Sequence, residues 1–153
     1  MSDAKQATFN IEKIYVKDLS LEIPNAPQVF LLRDQPSMDV QLNTSADKVG
    51  EDVYQTVLTI TVTAKATDKT MFLVEASQAG IFRIENVPQE ELEAVLSIGC
   101  PNILFPYARE TISDVVTRAG FPPVLLAPVN FEALYMQRQQ AEQKDDGPRI
   151  QLQ

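Results

Sequence analysis

Residues 53–84, VYQTVLTITVTAKATDKTMFLVEASQAGIFRI, decide the fold. Between Val53 and Ala66 the side chains alternate. Tyr54, Leu58, Ile60, Val62 and Ala64 fall on one face; Gln55, Thr59, Thr61, Thr63 and Lys65 fall on the other, with Val57 the exception. A period of two is that of a strand half-buried on one side, and the crowd of β-branched residues suits the pleated backbone. Thr67-Asp68-Lys69 allows only a tight connection, so Thr70 to Ile84 should fold back as the second arm of an antiparallel hairpin. Gly80 interrupts that arm and predicts a bulge or bend.

Working outward, Phe9 to Glu22 reads as a long strand with an imperfect phase. Lys13 and Lys17 interrupt the apolar positions, while Ile14 and Val16 interrupt the polar ones, as a bulge would produce. Pro24-Asn25-Ala26-Pro27 ends it, because proline cannot donate to a ladder. A proline-flanked connection, VFLLRDQP (29–36), comes next, then a short strand from Met38 to Leu42 and a polar loop from Asn43 to Asp52. Beyond the hairpin, PQEELEAVLSI starts at Pro88 as a short acidic helix, with carboxylates in the turn where the helix dipole favours them. In CPNILFPYARETISDVVTRAGFPPVLLAPVNFEAL (100–134), Pro106 suits the first turn of a helix reaching about Ala119. Leu104, Ala108, Ile112, Val115 and Ala119 line its apolar face. Gly120 stops it. Asn130 caps a last helix from Phe131 to about Gln140. Four strands followed by helices imply an α+β domain: a four-stranded antiparallel sheet with helices on one face and the other face free. The expected organisation is a loose arm over 1–8, one domain over 9–141 and a disordered polar tail over 142–153.

The chain has 153 residues, one cysteine, no histidine and a net charge of −8. Without histidine, and with one thiol, the common zinc sites, Ser-His triads and Cys-His dyads cannot be assembled within one chain. The five glycines are scattered, so no glycine-rich phosphate loop exists. The expectation is a protein that is not an enzyme and carries no metal and no cofactor. Most of the excess acid precedes residue 100, which disfavours nucleic acid as a partner and suits a basic protein or plain solubility. No apolar run is long enough for a bilayer, MSDAKQATFN has no hydrophobic signal core, and one cysteine cannot form an internal disulfide; together these fit the cytoplasm. Cys100 reads as a small buried hydrophobe.

Residues 9–27 (FNIEKIYVKDLSLEIPNAP), with LTITVTA, FLVEASQAGIFRI, CPNILFPYARETIS, GFPPVLLAPVNF and EALY, closely resemble the SecB family of bacterial protein-export chaperones, over nearly the whole of residues 9–136. The resemblance implies a cytosolic, ATP-independent holdase that forms a homotetramer, a dimer of dimers. It would hold precursors unfolded and pass them to the motor ATPase SecA, with no cofactor. The alternative is a SecB-like chaperone of a toxin–antitoxin pair, or a general unfolded-protein holdase.

A holdase needs an apolar groove with adaptable walls. Its expected lining is Val29, Phe30, Leu31 and Leu32 facing Phe131, Leu134 and Tyr135, unless these close the core instead. SecB chaperones often carry a tryptophan in the 24–36 connection; Asp34 stands about there in this chain. Asp18 and Glu22, four apart on one strand, share a face, and Glu75 joins them if its phase allows. In the family these positions belong to an acidic sheet surface that docks SecA; Leu73, beside Glu75, is either a neighbour in that patch or core. The plainer reading is a solvated face that blocks edge aggregation.

Overall fold

The computed structural model describes residues 6–145. Its strands are β1 (Thr8–Glu22), β2 (Ser37–Gly50), β3 (Val53–Ala66) and β4 (Lys69–Glu85), in the spatial order β1-β4-β3-β2 with every pair antiparallel. The helices are α1 (Gln89–Ala94), α2 (Cys100–Arg118) and α3 (Phe131–Asp145), and a 3-10 turn, Gln28–Leu31, lies in the β1–β2 connection. This is the expected α+β layout. The β3–β4 turn is Thr67-Asp68, both at positive φ (48° and 66°), the paired left-handed geometry that matches the twist of a two-residue hairpin.

Three sequence expectations are corrected. β2 does not stop at Leu42; it runs to Gly50, so the supposed polar loop is strand, paired to β3 as far as Gly50 opposite Val53. Its polar residues misled because β2 is an edge strand, where side chains need not be apolar to be ordered. Pro106 does not start a helix. α1, a π-helical turn at Val95–Gly99 and α2 run on without a break, and Pro106 lies inside α2. The carbonyl it cannot bond belongs to Asn102, an exposed residue with access to water. Gly80 is not a bulge; it sits in register opposite both Ile14 and Thr56. A side chain there would put its Cβ 2.7 Å from the Phe82 ring and 3.0 Å from Leu104, so glycine lets ring and helix close over the strand.

The irregular phase of β1 is two bulges, one between Ile11 and Lys13 and one between Val16 and Asp18. Each shifts the alternation by one residue. Phe9, Ile11, Ile14, Val16, Leu19 and Leu21 consequently all pair with helix-side residues of β4. Lys13 and Tyr15, then Asp18, Ser20 and Glu22, turn to the free face.

The core lies between the middle of the sheet and α2. Leu58, Ile60, Val62, Val74 and Phe82 from the strands meet Leu104, Ala108, Ile112 and Val116 from the helix, all fully buried. Gln78 is the buried polar link between layers: its Nε2 donates to the Tyr15 carbonyl at 3.2 Å, and its Oε1 accepts from the Thr111 hydroxyl at 3.3 Å. Cys100 is buried as expected. After α2, Gly120 adopts φ +97°, and Phe30 approaches to 3.1 Å of where its Cβ would be. Asn130 caps α3 as foreseen, accepting from the Ala133 N–H at 2.9 Å. α3 then runs to Asp145, taking residues 142–145 from the expected tail. The rest of that tail, 146–153, and residues 1–5 of the expected arm lie outside the described residues.

Apolar clefts on one side of the sheet and an acidic row on the other

On the helix side, β2 extends beyond the cover of α2. Val40 and Leu42 occupy helix-side positions opposite Val62 and Ile60. They form one wall of a cleft of about 250 Å³, closed by Phe105 and by the extended run Leu126-Ala127-Pro128-Val129. A second cleft, of about 350 Å³, shares Leu42 and continues between β2 and α3, past Phe131 and Leu134 to Gln137 and Arg138. The two share Leu42 as a lining residue and are together called the trough. Its outer wall is an extended chain and a helix end rather than a sealed layer, so it can adapt.

The seven residues expected to line a groove are not brought together. Val29 is 2% exposed and belongs to the core. Phe30 stacks on Phe121 with ring centroids 5.1 Å apart, and Phe121 in turn meets Phe72 at 4.9 Å. Leu31 is exposed and Leu32 half-buried. The 29–32 run therefore closes the sheet beside Gly120, and none of it lines the trough. Phe131 and Leu134 do line it, Phe131 as a buried floor against Phe105 (centroids 6.1 Å apart). Tyr135 is half-buried, and its hydroxyl accepts from Gln139 at 2.8 Å. The lining from β2, Val40 and Leu42, was read as strand but not as groove. The alternation of Met38, Val40 and Leu42 was the signal that could have revealed it.

On the free face, register answers the question of phase. Asp18 pairs with Ser77, Ser20 with Glu75 and Glu22 with Leu73, so Asp18, Glu22, Leu73 and Glu75 all point the same way. The row continues across the sheet in hydroxyls: Thr61 donates to Glu75 Oε1 at 2.7 Å, and the Thr59 and Ser77 hydroxyls lie 2.9 Å apart. The Thr61 bond holds the half-buried Glu75, while Asp18 and Glu22 stand in water. Leu73 adds one apolar contact among the acids.

Two further features bear on chemistry. Burial pushes the Cys100 thiol from its ordinary 9.0 up to about 11; the nearby Thr56 hydroxyl works against that. Thr56 Oγ1 makes no full hydrogen bond among the described residues. Cys100 is thus a poor nucleophile and ligand. Among the described residues no three of His, Cys, Asp and Glu gather as a metal site, and no helix is long and apolar enough to cross a membrane.

A sheet backed by one long helix, with an open apolar trough on one side and an acidic row on the other, offers surfaces suited to binding other chains. The comparisons identify the family. The family model for the preprotein translocase subunit SecB matches residues 2–142, and the chain belongs to the SecB family. It is 64% identical over 147 residues to the protein-export protein SecB of Thiobacillus denitrificans, covering 96% of this chain and 97% of that protein. It is 61% identical over 142 residues to that of Dechloromonas aromatica, covering 93% of each. Among solved structures, the fold is similar to the Mycobacterium tuberculosis SecB-like chaperone Rv1957, in complex with a ChAD peptide from the HigA1 antitoxin. That likeness has a TM-score of 0.66 at 17% identity and covers 79% of this chain and 90% of that one, so it speaks to fold alone.

Proposed function

We propose that this chain is an ATP-independent holdase that keeps precursor proteins unfolded in the cytosol and delivers them to SecA. The observation that carries the reading is the trough at Val40, Leu42, Leu126–Val129 and Leu134: apolar surface left open to water, in a family of export proteins. Such a trough takes extended chain with exposed apolar side chains and rejects folded surfaces. It thereby opposes folding by mass action, without nucleotide. Weak contacts at several troughs on one assembly would add up through local concentration.

The assembly we propose is a homotetramer, a dimer of dimers. Its support is the helix-side row of β1, where Phe9, Ile11, Val16 and Leu19 are each at least 40% exposed, continued by exposed Tyr107 on α2. A row of that size needs cover on a soluble protein. Asp18, Glu22, Leu73 and Glu75 would dock SecA, the charges setting encounter rate and specificity. Of the original groove residues, Phe131 and Leu134 remain in the client-binding proposal; Val29, Phe30, Leu31, Leu32 and Tyr135 become supports of its surroundings.

The test is delay of refolding of a slow-folding client, with no nucleotide added. Wild type should delay it, Leu42→Asp should lose most of the delay while keeping its mass in solution, and Asp18→Ala or Glu75→Lys should lose SecA binding alone. A wild-type chain that neither delays refolding nor binds SecA would sink the export reading. Delay without SecA binding would favour the antitoxin-type chaperone instead.

A further inference from the structure

The helical stretch from Gln89 to Arg118 departs from α geometry at one turn, Val95–Gly99, and that turn reaches the second cleft through Ser97. On α spacing, position 97 stands three before Cys100, four before Pro101 and seven before Leu104, all buried residues of α2, so it would continue their face. It does not. Every residue of the π turn is half-buried, and Ser97 lines the cleft with Leu42, Phe131 and Leu134.

Two polar groups are left over at this turn. The first is a hydroxyl. Those of Thr111 and Thr117 turn back to carbonyls four residues earlier, at Tyr107 and Ser113, whereas that of Ser97 has no partner among the described residues. The second is a carbonyl. The Cys100 N–H reaches five residues back to the Val95 oxygen. At the same spacing the next carbonyl, that of Leu96, would meet the N–H of position 101, but Pro101 has none. At four residues its donor would be Cys100, which is already bonded to Val95. The Leu96 oxygen is therefore left to water. It belongs to the peptide group that joins Leu96 to Ser97, so a free donor and a free acceptor flank one Cα.

An extended chain presents the complement. Each residue of a strand turns its N–H and its C=O to the same edge, and the next residue turns both to the opposite edge. We propose that Ser97 and the Leu96 carbonyl form a two-point clip for one backbone residue of bound client. The Ser97 hydroxyl donates to that residue's carbonyl, and the residue's N–H donates to the Leu96 oxygen. The inference rests on the holdase reading above and adds to it what the second cleft recognises. Apolar walls alone accept any apolar surface. Folded proteins have already paired their backbone groups, so a clip for unpaired N–H and C=O selects chain that has not folded. The π turn supplies the hydroxyl at the cleft, and Pro101 keeps the acceptor free.

The probes are three fluorescein-labelled peptides of alternating Leu and Ser: one unmodified, one with an ester oxygen in place of every Leu N–H, and one with it in place of every Ser N–H. Only one of the two sets of N–H groups can face the clip, so one depsipeptide should bind the wild-type assembly roughly three- to tenfold more weakly than the other. Ser97→Ala, a substitution that suits a helix, should weaken binding of the unmodified peptide by a similar factor while mass and melting temperature stay as they are. Pro101→Ala restores an N–H for the Leu96 oxygen, and the two depsipeptides should then bind alike. Pro101 is fully buried; should that variant not fold, the wild-type comparison and Ser97→Ala decide. Equal affinity of the wild type for the two depsipeptides, or unchanged affinity of Ser97→Ala for the unmodified peptide, overturns the clip. A difference between the depsipeptides that survives in folded Pro101→Ala gives the contact to another backbone acceptor and also overturns it. If the wild type binds none of the three peptides, the holdase reading falls and the clip falls with it.

Discussion

On β3 and β4 the helix-side residues Leu58, Ile60, Val74 and Phe82 are sealed beneath α2, whereas on β1 and β2, in the same layer, Phe9, Ile11, Val16, Leu19 and Val40 keep between 40% and 49% of their surface in water. All these positions obey the same alternation, so their residue types do not separate them. Width does. One helix with its side chains spans about 10–12 Å, whereas four strands at about 4.8 Å spacing span more than about 14 Å. With α2 centred on the β3–β4 pair, one strand on each flank must be covered by something else. On the β2 flank the cover is partial, from Leu126–Val129 and α3, and leaves a trough. On the β1 flank little among the described residues covers the row. The middle therefore holds the fold, and the flanks are available for other chains.

The largest expected effect tests that division directly. Phe82→Ala removes a fully buried ring and should cost about 3–5 kcal/mol of stability in urea unfolding. Phe9→Ala removes the ring that sits 5.6 Å from it on the β1 flank, and should cost less than about 1.5 kcal/mol in a single subunit. Comparable losses, measured where the mass is that of one subunit, would break the distinction between middle and flank.

The central hairpin was legible because its two strands are buried on one face only, and that burial writes period two into the sequence. The flanks were legible in part. The apolar content of β1 was visible, but the bulges at Glu12 and Lys17 were not, since a single extra residue only scrambles the phase. Most of β2 was missed because an exposed edge strand needs no apolar alternation to be held across the ladder, here from Asn43 opposite Thr59 to Gly50 opposite Val53. The acidic row was legible in part: strand phase put Asp18 and Glu22 on one face, Glu75 joined them only conditionally and Leu73 only through the family resemblance, and it is the register of β1 on β4 that turns all four the same way. The trough was found by half, through Phe131 and Leu134, because its other wall comes from strand pairing far along the chain. The 29–32 run looked exposed for its prolines, and Phe30 and Leu31 are exposed, but Val29 is buried and Phe30 stacks on Phe121, a tertiary contact with no local signature.

A smaller effect sharpens the same contrast at two glycines. Gly80→Ala puts a methyl group against Phe82 and Leu104 in the sealed middle and should cost about 1–3 kcal/mol through overpacking. Gly50→Ala, at the end of the β2 flank, meets only Val53 at 3.6 Å, ordinary contact, and should change stability little. Equal losses at both would mean that backbone conformation, not packing, governs them.

The middle should also show itself in alkali. The unfolded chain releases the Cys100 proton near 9.0 and the folded chain near 11, so between those values the native state binds the extra proton and stability falls as pH rises. The slope is about 1.4 kcal/mol per pH unit, levelling off above the folded value. Cys100→Ala lacks this fall, so its deficit relative to wild type should narrow from pH 9 upward. A deficit that stays constant would show that the thiol is open to water in the folded chain.

The smallest effect is expected on the free face of the β1 flank, where Arg83 Nε donates to Glu12 Oε1 at 2.7 Å. Glu12 sits at the first bulge, and the pair holds the guanidinium above its ordinary pKa, chiefly through that hydrogen bond. Both side chains keep 40% of their surface in water, so solvent and salt screen the attraction. Arg83→Ala should therefore move the unfolding midpoint less than any destabilising substitution above, and the shift should vanish in about 1 M salt. What the pair can do is choose register: it favours the bulge at Glu12, and the bulge turns Ile14 and Val16 to the helix side. If Glu12→Ala leaves stability nearly untouched yet alters the mass of the assembly, the pair acts on the β1 row through strand phase; if mass and stability both stay as they are, Ile14 holds the phase alone through its packing against the core.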